Sequence, residues 1–325
     1  MTRADAPNSP ARRGAASGFG PEDRDRAAGR VLPALLGDLR REFVAREPGV
    51  LADVDIEALH QYRVTVRRAR SLVRAGRGVF PSTARRDLRR ELSRCAALTS
   101  PVRDLDVLLE DLDAQVERLS PELRAGAPSL RARLVEDRAD AFGALREGLL
   151  AASHAPLLRD WQRLSRTVHL GAGGLERDAL TPVGVVTDRM VWHSFRAARA
   201  AGARARSTDE REAWHDLRKA LKQFRYVIAA VRPLYAPGTF AEVRARLPRL
   251  QDALGELQDR HVQADLIAAA GRAAGGDAAL TSGALADRLH GGARSAQHQC
   301  RSAWRHFDRP RVRHELRDEL PDLLR

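Results

Sequence analysis

The feature that most constrains this chain is a basic segment that occurs twice. Residues 60–70 read HQYRVTVRRAR and residues 215–225 read HDLRKALKQFR, so the two copies are offset by 155 positions. The same offset aligns further residues without a gap, as far as Asp104 and Asp259. A register shared over about fifty residues is typical of internal duplication. The sequence therefore predicts a tandem repeat, with one basic segment in each half.

Composition favours helices in both halves. Ala, Leu, Arg and Glu dominate, aromatic residues make up only 5% of the chain, and apolar residues recur at three- and four-residue spacing. Prolines fall between the periodic segments, where helices end. The predicted fold class is all-α. Predicted helices cover 22–46, 55–78, 82–98, 103–119, 129–150 and 155–168 in the first half, and 185–204, 209–232, 238–254, 258–273, 281–307 and 311–320 in the second.

A segment rich in Gly and Pro separates the halves. Residues 171–184 read GAGGLERDALTPVG, which predicts a linker between a first helical repeat at 22–170 and a second at 185–325. Residues 1–21 are rich in Ala, Pro, Arg and Ser and contain no continuous apolar stretch. We expect them to form a disordered tail and not a secretory signal.

Cysteine usage and hydropathy indicate a cytoplasmic location. Cys95 and Cys300 are the only cysteines, too few for a disulfide framework or a multi-cysteine zinc site. No apolar run reaches the ~18 residues that a membrane-spanning helix needs. We therefore expect no membrane partner.

Charge points to an anionic ligand. Lysine and arginine total 56 against 43 acidic residues, a net charge of +13. The only lysines are Lys219 and Lys222, and both lie in the second basic segment. A positive net charge favours polyanions through electrostatic steering and counterion release.

The cations of each segment fall on one helical face at ~100° per residue. We call these faces the stripes. The first stripe contains His60, Arg63, Arg67, Arg70, Arg74 and Arg77, and the second contains His215, Arg218, Lys222, Arg225 and Arg232, with Lys219 as a neighbouring candidate ligand. Like charges three or four residues apart repel. Their recurrence in both halves predicts an anion that relieves the repulsion. The alternative is pairing with carboxylates of neighbouring helices.

A further set of arginines follows each stripe on the next predicted helix. This outer row consists of Arg89, Arg94, Arg244 and Arg249. Arginine binds phosphate with a planar fork of donors, and lysine binds it as a point charge. Two such rows facing one another would form a groove suited to repeated phosphates, which favours a polymer over a single small ligand.

Three roles are open for His60 and His215. They can donate hydrogen bonds to phosphate, bond Asp104 or Asp259 as structural histidines, or serve as metal ligands or phosphoacceptors. A site ringed by arginine repels metal cations. We expect both aspartates to act as partners of the basic helices or as acids at helix N-termini.

No catalytic fingerprint is present. The sequence contains no Walker loop, GxSxG, HExxH or dinucleotide-binding motif. We therefore predict no catalytic residue, no metal site and no cofactor.

Four segments resemble the signatures of one family, the CHAD domain (conserved histidine α-helical domain). They are HxxRVxxRRxR at 60–70, RDLDV at 103–107, HDLRKALKQFRY at 215–226 and LQDALGELQD at 250–259. The resemblance extends over 22–320. One departure is Gln223, which stands where the first half has Arg68.

The resemblance implies two pseudo-symmetric antiparallel helical bundles around a basic central groove or pore. It also implies binding of long-chain inorganic polyphosphate and targeting to polyphosphate granules. The family's basic positions carry over as His60, Arg63, Arg67, Arg70, His215, Arg218, Lys222 and Arg225. The E-x-E-x-K strand of the triphosphate-tunnel enzymes fused to some members is absent from this sequence.

Non-enzymatic polyphosphate binding is therefore the leading hypothesis. A nucleic-acid backbone binder is the first alternative, disfavoured because the first stripe lacks aromatic residues for base stacking. A metal-dependent phosphohydrolase is the second. It would need clustered carboxylates, whereas the stripes offer mainly cations.

Overall fold

The computed structural model describes residues 18–152, 154–166 and 176–323. Throughout these ranges the ordered elements are helices and the only β-pairing is two isolated bridges, which confirms the all-α prediction. Residues 1–17 of the predicted tail and 171–175 of the predicted linker lie outside the described residues. The α-helices are α1 Ala28–Leu51, α2 Ile56–Ala75, α3 Ser82–Val116, α4 Ala127–Leu150, α5 His154–Ser165, α6 Val183–Thr208, α7 Arg211–Val231, α8 Ala241–Ala274, α9 Gly276–Phe307 and α10 Pro310–Asp318.

Two of these helices are longer than the sequence predicted. We predicted breaks near Pro101 and Gly255, but α3 and α8 run through both positions. Pro101 is exposed while the following Val102 is fully buried, so packing holds the helix together across the missing backbone donor. Leu254 and Leu257 are buried on either side of Gly255. Each long helix therefore contains the residues of two predicted helices in one continuous element.

Aspartate side chains fix the start of the two helices that carry the stripes. Asp55 accepts a hydrogen bond from the Ala58 amide (2.6 Å), which caps α2. Asp209 ends α6 with a left-handed φ of 58° and accepts from the Trp214 indole (3.1 Å) in the first turn of α7. Arg301 of α9 also bonds the Asp209 carboxylate (3.0 Å from Nε). The starting register of both stripes is thus set by local hydrogen bonds.

The apolar core does not divide along the repeat boundary. It forms two clusters, and each draws on both halves of the chain. The larger cluster includes Phe43, Leu72, Phe224 and Trp304, and the smaller one includes Leu112, Leu130, Ile267 and Leu285. The halves therefore fold around shared cores, and α2 packs directly against α7.

A polar pair lies where α2 and α7 cross. Ser71 donates its hydroxyl to Gln223 Oε1 (3.1 Å), and Gln223 Nε2 donates to the Ser71 carbonyl oxygen (3.2 Å). The corresponding residue of the first half, Arg68, points elsewhere and pairs with Glu42 (3.1 Å). A neutral amide at position 223 thus joins the two helices without adding another cation between the stripes.

A buried ionic cluster joins the two ends of the described chain. Asp188 of α6 is fully buried and accepts hydrogen bonds from Arg24 (2.9 Å), the Tyr235 hydroxyl (2.8 Å) and the Asp322 amide (2.7 Å). Arg24 also pairs with the Asp322 carboxylate (2.7 Å). Because breaking a buried pair leaves an unmatched charge, this cluster should be a major source of stability.

The change Asp188→Ala tests that expectation. It leaves Arg24 and the Tyr235 hydroxyl short of an acceptor, so we expect the free energy of unfolding to fall by about 3 kcal/mol in urea titrations. The matched change Asp265→Ala removes an exposed partner of Arg211 (3.4 Å). It should cost less than about 1 kcal/mol. Equal losses in the two variants would contradict the role assigned to the buried cluster.

Candidate functional site

The site lies beside the crossing of α2 and α7, with α3 and α8 as its other walls. It consists of two cavities of about 690 and 670 Å³ that share His60, Arg67, Arg218 and Lys222 in their linings. We call the two together the central cavity. Its described cationic lining comprises Arg63, Arg67, Arg70, Arg103, Arg118, Arg218, Lys219, Lys222, Arg225, Arg260 and Arg288, against the carboxylates Asp104, Asp111, Asp252, Glu256 and Asp259.

Most of the predicted ligands meet in this cavity. The residues that line it are His60, Arg63, Arg67, Arg70, His215, Arg218, Lys219, Lys222 and Arg225. Arg74 and the outer row (Arg89, Arg94, Arg244 and Arg249) do not. Arg94 pairs with Glu91 of its own helix (3.1 Å), and Arg249 lines a separate cavity between α8 and α9. The central part of each stripe lines the cavity, whereas Arg74, Arg77, Arg232 and the outer row do not.

Sequence reasoning missed four lining arginines. They are Arg103 on α3, Arg118 in the turn that follows α3, Arg260 on α8 and Arg288 on α9. Each lies among carboxylates in the sequence, as in RDLDV, so none belongs to a stripe. The available signal for Arg103 and Arg260 was their position beside Asp104 and Asp259, the residues that the offset of 155 aligns.

Arg63 is held rigidly on the cavity wall. It is 8% exposed, and its Nη1 donates to the hydroxyls of Thr99 (3.0 Å) and Ser100 (3.1 Å) on α3. Burial and the nearby Arg67 charge lower its pKa to about 10. Neutral hydroxyls orient the guanidinium without neutralising it, so its charge stays available to an anion.

The Tyr226 hydroxyl joins the two stripes. It accepts from Arg67 Nη1 of α2 (3.4 Å) and from Arg225 Nη2 of α7 (2.9 Å). Burial alone would raise the pKa of Tyr226, but the charges of Arg67 and Arg225 outweigh it and bring the pKa below its usual value. A neutral oxygen thus holds two like charges from different helices close together.

Burial and neighbouring like charges act together on Lys222. Burial first, and then the charges of Arg218 and Arg67, lower its pKa to about 7, although Asp259 acts in the opposite direction. No described carboxylate lies within ion-pair distance of Lys222. Near neutral pH the amine therefore exists as a mixture of charged and neutral forms, and a bound anion would favour the charged form.

Asp104 and Asp259 face the cavity from the middle of α3 and α8. We expected them to be partners of the basic helices or acids at helix N-termini, and the second role is wrong because both helices run through the predicted breaks. Asp259 pairs with Arg218 (3.5 Å). Burial raises the pKa of both carboxyls, and the Asp259 charge raises that of Asp104 further. They neutralise the stripes only in part.

The histidines occupy matched places on α2 and α7 but have different contacts. Each is the fifth residue of its helix, and both line the cavity. His215 Nδ1 lies 2.6 Å from the Gln258 amide oxygen, so its closest polar partner is an amide and not Asp259. Burial and the charges of Arg103, Arg67 and Arg63 lower the pKa of His60, although Glu57 opposes the shift.

Carboxylates from neighbouring helices leave most of the stripes' charge unpaired. Within the described ranges, Arg63, Arg67, Arg70, Arg103 and Lys222 make no ion pair, whereas Arg218 does and Lys219 pairs with Asp216 (2.7 Å). In addition, Arg103 Nη1 and Arg218 Nε are buried without an acceptor. Buried donors are normally satisfied, and both residues line the central cavity, so an anion bound there is a candidate acceptor.

Two further properties of the described residues bear on function. They include no group of three or more His, Cys, Asp or Glu side chains arranged to hold a metal ion. None of the described helices is both long enough and apolar enough to cross a membrane.

The fold and cavity define an all-helical protein whose two halves bring unneutralised cations to one central site. The sequence profile of the CHAD domain matches residues 34–268, and the chain belongs to the CHAD domain family. No curated protein matches the sequence.

Two solved structures share the fold. The CHAD domain from the plant Ricinus communis has 22% sequence identity and a TM-score of 0.61, covering 90% of this chain and 93% of its own. PptA from Streptomyces chartreusis has 19% identity and a TM-score of 0.63, covering 86% and 99%. These similarities support the fold over nearly the whole length of all three chains.

Replacing Lys222 with methionine should stabilise the unliganded protein. Below its folded pKa of about 7 the partly buried ammonium costs stability, on the order of 2–4 kcal/mol. Between that pKa and the unfolded value the unfolded chain binds more protons, so the cost shrinks as pH rises. In thermal melts Lys222→Met should therefore raise the melting temperature at about pH 6 and lose this advantage toward about pH 10.

Lys219→Met is the matched control for this prediction. Lys219 is half-exposed and paired with Asp216, so its removal should change stability by less than about 1 kcal/mol. Equal stabilisation by both changes would show that overall charge, and not burial at position 222, controls the melting temperature.

Proposed function

We propose that the central cavity binds long-chain inorganic polyphosphate without catalysing a reaction. The observation that carries this proposal is the convergence of Arg67, Arg70 and Lys222 from two helices with no described carboxylate partner. Arginine forks and a lysine point charge are the donors that phosphate prefers. The proposed ligands are His60, Arg63, Arg67, Arg70, Arg103, His215, Arg218, Lys219, Lys222 and Arg225.

The elongated form of the site favours a chain over a compact anion. The two cavities extend in different directions from the residues that they share, and cations line both. A linear polyanion with one charge on every unit can contact both ends, whereas a single phosphate can satisfy only part of the lining. We therefore interpret the central cavity as the basic groove that the family resemblance implies.

We further propose that the two halves are tandem repeats. Helices α1 to α5 and α6 to α10 follow the same order, with the third helix of each half the longest at 35 and 34 residues. His60 and His215 lie at the same position of the second helix in each half. This pseudo-symmetry supports an origin by duplication and explains why both halves contribute to one site.

A cellular role follows from the proposed ligand. A protein with high affinity for long polyphosphate would accumulate where that polymer is concentrated, so we propose cytoplasmic association with polyphosphate granules. The outer row also stays a predicted binding surface for polyphosphate, although it lies outside the cavity. It consists of Arg89, Arg94, Arg244 and Arg249.

A nucleic-acid backbone is the alternative ligand with comparable charge. Single-stranded nucleic acids are usually held by stacking on exposed aromatic rings. The described lining of the central cavity contains no Phe, Tyr or Trp, and Tyr226 is buried with both arginine contacts on its hydroxyl. The geometry therefore favours a polymer that consists of phosphate alone.

Charge reversal across the cavity tests the proposal. Arg67→Glu combined with Lys222→Glu places a negative charge on each stripe and should weaken long-chain polyphosphate binding by about 100-fold or more. Each single reversal should have a smaller effect. The measurement is titration of labelled polyphosphate, followed by competition with RNA, DNA, ATP and pyrophosphate.

The control is Arg294→Glu with Arg305→Glu, two exposed residues of α9 that make no described ion pair and do not line the central cavity. It changes the net charge by the same amount and should reduce affinity by less than about fivefold. This small loss would come from long-range electrostatic attraction, which salt screens. Equal losses in the two double variants would mean diffuse attraction. More effective competition by RNA than by unlabelled polyphosphate would favour the nucleic-acid alternative.

Polyphosphate affinity should fall as pH rises above about 7. The free protein then loses the proton of Lys222, whose pKa is about 7, and binding must restore it. One linked proton gives a slope approaching tenfold per pH unit. Other charged groups around this amine are Arg67 and His60 of α2, Arg218 and Arg225 of α7, Asp104 of α3 and Asp259 of α8.

Lys222→Arg isolates this effect, because arginine keeps its charge across the range. Its affinity should vary less between about pH 6 and 8 than that of the unmodified protein. Since both proteins experience the same titration of the ligand, an identical pH profile would exclude Lys222 as the linked group.

A further inference from the structure

Five arginines form a second basic surface next to the central cavity. They lie at the end of α2, in the loop that follows it and at the start of α3, and we call them the corner arginines: Arg74, Arg77, Arg85, Arg86 and Arg89. Arg70 connects them to the site, because it lines the cavity and the charges of Arg67, Arg89 and Arg74 act on it together. The cationic surface therefore continues without interruption from the cavity to this corner.

The corner arginines are not neutralised within the described residues. None of them forms an ion pair there. The nearby carboxylates are engaged otherwise, since Glu176 accepts from the Ser82 amide (3.0 Å) and Asp87 pairs with Arg90 (3.3 Å). Arg85 is only 8% exposed. Burial and the charges of Arg89, Arg77 and Arg86 lower its pKa.

The second half of the chain has no equivalent surface. The offset of 155 places Ala229, Arg232, Phe240, Ala241 and Arg244 at the corresponding positions. Phe240 is fully buried. Arg232 follows the last residue of α7 and donates to the Tyr235 carbonyl oxygen (2.7 Å). The corner arginines are thus a one-sided addition to a site that is otherwise built from both halves.

We propose that the corner arginines extend the binding site, so that a linear polyanion too long for the central cavity continues over the α2–α3 corner. This inference rests on the proposed function and adds a second, length-selective subsite to it. Arg67 and Arg74 are separated by seven residues, about 10 Å along α2, and Arg77 lies beyond the end of that helix. A short polyphosphate in the cavity cannot contact both Arg67 and Arg77, whereas a long one binds the corner as a tethered second contact.

The test compares two ligands on one variant. The triple change Arg74→Gln, Arg77→Gln and Arg86→Gln alters exposed residues only. It should weaken binding of long-chain polyphosphate about tenfold and reduce the salt slope by about 2, taking roughly 0.7 per lost phosphate contact. Binding of tripolyphosphate should change less than twofold. Circular dichroism and thermal melts check that the variant is folded.

The matched control carries Arg294→Gln, Arg305→Gln and Arg313→Gln, which remove the same charge from exposed positions of α9 and α10. Long-chain affinity should then change less than twofold. An unchanged affinity in the corner variant, or an equal loss for both ligands, would overturn the subsite.

The outcomes separate this inference from the proposed function. If the unmodified protein binds neither ligand, the proposed function fails. If it binds both, and Arg67→Glu with Lys222→Glu abolishes binding while the corner variant retains the full preference for long chains, only the subsite fails.

Discussion

Repulsion between like charges at the α2–α7 crossing is the constraint on which the rest of the structure depends. Two stripes of cations lie side by side there, and several of the lining charges, Arg63, Arg67 and Lys222 among them, have no described carboxylate partner. Apolar packing opposes this repulsion, because both core clusters draw on both halves and hold the helices together from behind. Neutral acceptors such as Thr99, Ser100 and Tyr226 orient the guanidiniums while leaving their charge intact.

The same arrangement explains why the site is ready for an anion. Rigid arginines and buried donors without acceptors mean that much of the ordering cost of binding is met when the chain folds. Asp104 and Asp259 limit the repulsion without cancelling it. Placed opposite the stripes, these two carboxylates reduce the repulsion between cations in the unliganded protein. A polyanion carries more negative charge than two carboxylates, so its binding still gains favourable electrostatic interactions.

The sequence was sufficient to predict the fold class and the centre of the site, because both depend on periodicity. The stripes follow helical spacing, and their recurrence at a constant offset identified nine lining residues. The helix ends were less predictable: Pro101 and Gly255 carry breaking signals that long-range packing overrides. Arg103 and Arg260 were missed because local sequence shows them among acids, and only the tertiary fold turns them toward the cavity. The outer row failed to reach the cavity for the converse reason, since a regular spacing on α3 and α8 does not determine which side of a long helix faces inward.

The ionic cluster of Arg24, Asp188 and Asp322 has a topological consequence. It brings the beginning and the end of the described chain into direct contact. If a short peptide joined these two ends, new termini at the boundary between the halves would leave both stripes on intact helices. The order in which the halves follow one another along the polypeptide is therefore incidental to the site. What the architecture requires is that both halves be present and share their cores.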